Sequence, residues 1–285
     1  MQTIIILILA GLTTAFAAGC GGLAGSDAST DRVSVVAAFY PLAYAAEEVG
    51  RGRVEVANLT PPGTEPHDLE VSPRDVGLIR GADLVLLLGR DFQPQLEEAA
   101  GDDANVVRLL DTPGLDLLPN GDPHVWLDPL RYAAIVERIG RALDNEPGAA
   151  ELVARLRVLD GEFRRGLGDC ERNEIVTSHE AFAYLAERYG LEQVAITGLS
   201  PEAEPTPGEL RDVVELVRAR GVTTIYFETL VSPRIAETVA RETEATVAVL
   251  NPIEGLTEDE AARGADYFSL MGSNLAALRE GLGCR

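Results

Sequence analysis

The chain has no lysine. All 24 of its bases are arginine, against 46 aspartates and glutamates, and the formal net charge is −22. A surface of that sign repels nucleic acid and anionic membrane faces, so neither is an expected partner. It would concentrate cations, although a solvated acidic surface that only keeps the chain soluble accounts for it equally well. Histidine is nearly as scarce: His67, His124 and His179 are the only three in 285 residues, and Trp126 is the single tryptophan. After residue 20 no apolar run is long enough to span a bilayer. No HExxH pair is present, which removes the helix-borne ligand pair of many zinc proteases.

With 46% hydrophobic and 25% charged residues, the chain reads as soluble and globular, of a length that makes one large domain or two ordinary ones. Residues 1–20, MQTIIILILAGLTTAFAAGC, are apolar and end in small residues and a cysteine; GGLAGSDASTD follows as a Gly/Ser/Asp tether over about residues 21–32. This segment resembles a bacterial lipoprotein signal peptide cut before a lipidated Cys20, the alternative being a transmembrane anchor. Either way the mature protein is expected to be exported and held at the outer face of a membrane, or to be periplasmic. Export permits a disulfide between the other two cysteines, Cys170 and Cys284, the alternative being two unrelated free thiols. A bond there is expected to pin a C-terminal helix to the start of the second lobe.

From Val33 onward short β-rich runs alternate with helical patterns. Residues 33–39, 54–59, 84–88 and 106–109 are predicted strands, and Ser72-Pro73 supplies an N-cap and first-turn proline for a helix to about residue 80. A second unit has predicted strands at 175–177, 193–196, 224–227 and 246–249, with helices at 207–218 and 233–242. Such repetition implies parallel sheets with right-handed crossovers. Between the units Leu152, Leu156, Leu159 and Phe163 recur at helical spacing. The expected fold is α/β: a lobe at 33–145, a long rigid linking helix at 146–168 and a lobe at 169–285.

In open parallel sheets ligands bind beyond the carboxyl ends of the strands. His67 follows the second predicted strand, His124 lies in the long connection after the fourth, and His179 follows the first strand of lobe two. All three therefore fall where a cleft between the lobes would be. A lone loop histidine is usually a surface or hydrogen-bonding residue, but three of three at one cleft point to a metal, and imidazole suits Zn²⁺. Glu228 and Asn251 follow the third and fourth strands of lobe two at the same end.

The segments AFYPLAYAAEEVG, PPGTEPHDLEVSPRDV, ADLVLLLGRDF, DPHVWLDP, TSHEAFAYLAERYGL, SPEAEPTPGEL and YFETLVSPRIAETVARETEA, in that order, resemble the metal-binding proteins of zinc and manganese ABC importers. The resemblance runs over nearly all of the chain after Ala38. It implies two α/β lobes joined by one rigid helix, with the metal between them and His67, His124 and His179 as its ligands. Pro123 would stiffen the His124 loop and Trp126 would wall the site, or serve only as a core anchor. Manganese carriers in the family usually have Glu at the third ligand position, so His179 favours zinc. Where many members have an aspartate before a late proline this chain has Asn251, and the His-rich loop of zinc members is absent. The fourth ligand is therefore open between water, Glu228 and Asn251. If Asn251 faces the metal, Asn251→Asp should tighten Zn²⁺ binding; if it only caps a turn, the change should hardly matter.

The resemblance implies a monomeric zinc-binding lipoprotein that catalyses no reaction and delivers Zn²⁺, its transported ligand, to the membrane permease of an ABC importer. Alternatives are a manganese-delivering member of the same family, a zinc-dependent hydrolase using three histidines and a water, and a surface adhesin sharing the fold. Cu²⁺ could also bind such a site tightly.

Overall fold

Runs of valine and other β-branched residues set the architecture. In a computed structural model, which describes residues 32–285, VSVVA forms β1 (Val33–Ala37) and VEVAN forms β2 (Val54–Asn58). Their crossover is α1 (Tyr40–Gly50). Then come α2 (Pro73–Gly81), β3 (Leu84–Leu87), α3 (Pro94–Ala100) and β4 (Val106–Arg108). The four strands are parallel in the order β2-β1-β3-β4. β1 stops at Ala37, short of the expected residue 39, because Pro41 pre-sets the first turn of α1. The predicted cap at Ser72 is present: its hydroxyl accepts from the Asp75 amide while Asp75 bonds back to the Ser72 amide.

Two helices leave this sheet, α4 (Pro129–Ala142) and α5 (Glu146–Gly166). Asn145 caps α5, Leu152, Leu156, Leu159 and Phe163 are buried along one face, and Arg164 and Arg165 close its last turn against the helix dipole. At 1.5 Å per residue it spans about 30 Å. The helices lie close: a Cβ on Gly140 of α4 would stand 2.5 Å from the Ala149 Cβ.

The second sheet repeats the first. β5 (Glu174–Thr177), α6 (Ala183–Tyr189), β6 (Glu192–Ala195), α7 (Pro207–Arg220), β7 (Thr224–Phe227), α8 (Arg234–Thr243) and β8 (Thr246–Val249) give the parallel order β6-β5-β7-β8. α9 (Glu258–Ala262) and α10 (Tyr267–Leu282) end the chain. One core runs from lobe one through α5 to Tyr226, Tyr267 and Leu278; a smaller one, Val176, Val217, Ile225 and Val239, lies under α7 and α8. The expected signal peptide and Cys20 lie outside the described residues. No described helix is long and apolar enough to cross a membrane.

A polar seam ties the lobes to the linking helix. Asp128 caps α4 and receives Arg131 at 2.7 Å and Arg188 of α6 at 3.1 Å, while Arg188 also reaches Asp160 of α5 at 2.6 Å. At the other end Cys170 and Cys284 are disulfide-bonded across 114 residues of sequence, holding α10 against the entry to lobe two.

Closing a loop of that size is worth about 4–5 kcal/mol in the chain-entropy model. Replacing Cys170 and Cys284 together by serine is expected to lower the thermal midpoint by on the order of 10 °C, measured by calorimetry. Two free thiols in mass spectra of non-reduced protein would contradict the pairing.

Candidate metal centre

The centre is assembled from loops at the carboxyl ends of strands in both sheets. His67 lies beyond β2, on a loop held by Gln93, whose amide donates to the Thr60 hydroxyl at 3.3 Å and to the Pro66 carbonyl at 3.1 Å. Gln93 follows three successive left-handed residues, Gly89, Arg90 and Asp91, so strained backbone sits beside the site. Phe92 of that turn packs its ring edge-on to His67, centroids 4.7 Å apart. The Gly63 amide donates to the Leu256 carbonyl at 2.7 Å and carries the loop across to lobe two.

His124 precedes a short 3-10 turn, Val125–Leu127. Although it belongs to the chain of lobe one, its loop is bonded to lobe two: the Trp126 indole donates to the Pro252 carbonyl at 2.7 Å, and the Tyr267 hydroxyl donates to the Trp126 carbonyl at 2.7 Å. Trp126 is buried, its ring 5.2 Å from that of His124, and it walls the site while anchoring the core. His179 follows β5 by two residues, and its carbonyl accepts from Thr177 and Gln193.

The three imidazoles converge on a carboxylate that inspection of the sequence does not single out. Glu254 Oε1 lies 2.9 Å from His124 Nε2, 3.2 Å from His67 Nε2 and 3.5 Å from His179 Nε2; the Nε2 atoms of His124 and His179 are 3.4 Å apart. One donor atom from each of these four residues lies within 4.8 Å of the rest. Zinc bonds of about 2.0–2.1 Å at tetrahedral angles put neighbouring donors roughly 3.3 Å apart. His124, His179 and Glu254 are withdrawn from solvent; the His67 side chain keeps 14% exposure and forms the open edge.

The other candidates for the fourth position stand elsewhere. Glu228, directly after β7, accepts from His179 Nδ1 at 2.6 Å, on the far side of the ring. Asn251 is a turn residue: its Oδ1 accepts from the Ile253 amide at 2.8 Å, its Nδ2 donates to Glu260, and its backbone pairs with the Asn274 side chain. The expectation that Asn251→Asp would tighten zinc binding therefore loses its basis. Asn251 instead shapes the turn in which Ile253 takes a left-handed φ of 57°, unusual for a β-branched residue, immediately before Glu254. The available sequence signal was the one acid of LNPIEGL, between Ile253 and Gly255 just past a strand.

Charge and proton are tightly linked here. Burial alone would raise the Glu254 carboxyl, but bonds from His124, His179 and His67 hold it well below the usual carboxylate range. Burial alone would lower His179, but Glu228 and Glu254 push it up to about 10. His124 is raised in the same way by Asp122 and Glu254, against the effect of its burial. Glu65, two residues before His67, is pushed up to about 8 by burial and the charge of Glu254.

Comparison with known proteins finds zinc-binding relatives over most of the chain. The family model for the periplasmic component A of the zinc-uptake complex matches residues 35–281. The zinc-binding lipoprotein AdcA of Streptococcus pneumoniae is 34% identical over 97% of this chain, and the chain spans 60% of that protein's length. Its zinc-bound ZnuA-like domain superimposes with a TM-score of 0.76 at 35% identity, over 88% of this chain and 99% of the domain. The high-affinity zinc uptake system protein ZnuA of Bacillus subtilis is 33% identical over 93% of both chains. The laminin-binding protein of Streptococcus agalactiae, described as having adhesin and metal-transporting activity, has a TM-score of 0.80 at 29% identity, over 88% of this chain and 99% of that one.

An imidazole must lose its Nε2 proton to bind a metal through that atom. With ordinary imidazoles the competition would set in near pH 6.5; with His179 raised to about 10 it starts higher. Metal binding at pH 7 is expected to release at least one proton, read from the buffer dependence of the calorimetric heat. Affinity should rise about tenfold per pH unit for each proton released as pH increases towards 10, and fall as pH drops. Flat affinity between pH 5.5 and 9 would contradict this.

Proposed function

The chain belongs to the family of periplasmic zinc-uptake components, and on that footing we propose that it captures Zn²⁺ outside the cytoplasm and delivers it to the permease of an ABC importer. The observation that carries the reading is the convergence of His67, His124, His179 and Glu254: the three Nε2 atoms stand 2.9, 3.2 and 3.5 Å from Glu254 Oε1, and all four donors lie within 4.8 Å of one another. Capture consists of replacing the water shell of Zn²⁺ by three imidazoles and one carboxylate, entered from the His67 edge. Glu254 offsets one of the two metal charges at contact, and Asp122 and Glu228 stand one bond further out behind His124 and His179.

The donor set favours zinc over manganese. Mn²⁺ prefers six hard oxygen ligands, whereas imidazole suits the borderline metal and the buried walls leave little room for a larger shell. A hydrolase would need an open coordination position for a water, and Glu254 stands at that corner. Delivery fits a chain tethered at the outer membrane face: we assign residues 1–20 to a signal peptide, Cys20 to lipidation, residues 21–32 to a tether, residues 33–145 and 169–285 to the two lobes and residues 146–168 to the link. The lipoprotein relative and the disulfide support the extracytoplasmic assignment. A complete donor set within one chain supports a monomer as the working unit.

The test is metal analysis followed by competition with a chelator on the soluble part. One Zn²⁺ per chain is expected, held in preference to Mn²⁺. His67→Ala, His124→Ala, His179→Ala and Glu254→Ala should each weaken Zn²⁺ by on the order of a hundredfold or more, a share of the binding energy of a four-ligand site. Sub-stoichiometric zinc, or preference for Mn²⁺, would overturn the reading; an unchanged affinity in one variant would remove that residue.

A further inference from the structure

Two of the three histidines are gripped from behind. His124 Nδ1 lies 2.6 Å from Asp122 Oδ1, and the same oxygen accepts the His124 backbone amide at 2.9 Å, so one carboxylate fixes both the ring and the chain that carries it. His179 Nδ1 lies 2.6 Å from Glu228 Oε1. The His124 and Asp122 side chains are fully buried, as is that of His179, with Glu228 only 3% exposed, so solvent does not compete for these bonds. In both rings an Nδ1–H donated to the carboxylate leaves Nε2 as the nitrogen facing Glu254. Among the described residues His67 has no carboxylate behind Nδ1.

Asp122 also joins the lobes. Its carbonyl accepts the Tyr184 hydroxyl of α6 at 3.0 Å, and that same hydroxyl accepts the Leu118 amide at 3.1 Å. Tyr184 therefore holds both ends of the loop leading to His124. Glu228, at the carboxyl end of β7, reaches across to the loop after the neighbouring strand β5.

We propose that Asp122 and Glu228 are positioning residues for zinc capture, each holding its histidine with the proton on Nδ1 and Nε2 turned to the metal. The inference rests on the zinc-binding reading above. An imidazole donating to a carboxylate is a more basic ligand and loses less rotational freedom on binding, and loss of such partners elsewhere costs about ten- to a hundredfold in metal affinity. Neither residue is among the four donors that converge on one point.

The experiment combines chelator competition with imidazole ¹⁵N NMR of the Zn²⁺-loaded protein. In the wild type, His124 and His179 should show slowly exchanging protons on Nδ1 and metal-bound Nε2. Asp122→Asn and Glu228→Gln should each weaken Zn²⁺ by about ten- to a hundredfold. Exchange of the Nδ1 proton should quicken at His124 alone in the first variant and at His179 alone in the second, whereas general loosening would quicken both. If a variant fails to fold, the wild-type spectrum still decides: metal on Nδ1 of either ring overturns the proposal. So does unchanged affinity in both folded variants, provided that the wild type binds Zn²⁺. A wild type that binds no Zn²⁺ removes the functional reading itself.

Discussion

A carboxylate surrounded by three imidazoles at the junction of two lobes is the constraint on which the rest of this structure depends. Glu254 is 1% exposed, and an ionised carboxylate so placed costs several kcal/mol unless opposite charge and hydrogen bonds compensate it. Without metal the compensation comes from protons on the imidazoles, which is why His124 and His179 are raised and Glu254 is lowered. In the proposed zinc-bound state it would come from Zn²⁺, so that one set of positive charges would replace another beside the carboxylate.

Holding four donors at that spacing requires that neither lobe drift. The Asp128, Arg188 and Asp160 seam, the Trp126 and Tyr267 bonds and the continuous core through α5 meet this requirement. His124 is the clearest case: lobe one supplies it, yet Tyr184, Pro252 and Tyr267 of lobe two hold its loop. The two sheets with one strand order each place their carboxyl-end loops at this junction.

Much of this was legible in the sequence, for identifiable reasons. Valine-rich runs such as VSVVA mark strands because parallel sheets bury both faces, and the spacing of Leu152, Leu156, Leu159 and Phe163 marks α5 because it repeats over several turns. Three histidines in one chain, each after a strand, converge because parallel topology brings such loops together. Glu254 was hidden because its role depends on backbone rather than side-chain pattern. The turn capped by Asn251, with Ile253 in a left-handed conformation, aims the acid inward, three residues past the Asn251 that stood beside water and Glu228 as a candidate. Glu228 lies 49 residues from His179, and only strand pairing reveals that it stands behind that ring rather than in front of it.

Three Nε2 atoms and one carboxylate oxygen would close a four-coordinate site around Zn²⁺. X-ray absorption spectroscopy of the zinc-loaded protein at the metal edge tests it most directly. Four nitrogen and oxygen ligands at about 2.0–2.1 Å are expected, with the outer-shell scattering of three imidazoles and no sulfur. A five- or six-coordinate metal rich in oxygen, or fewer than three imidazoles in the outer shell, would contradict it.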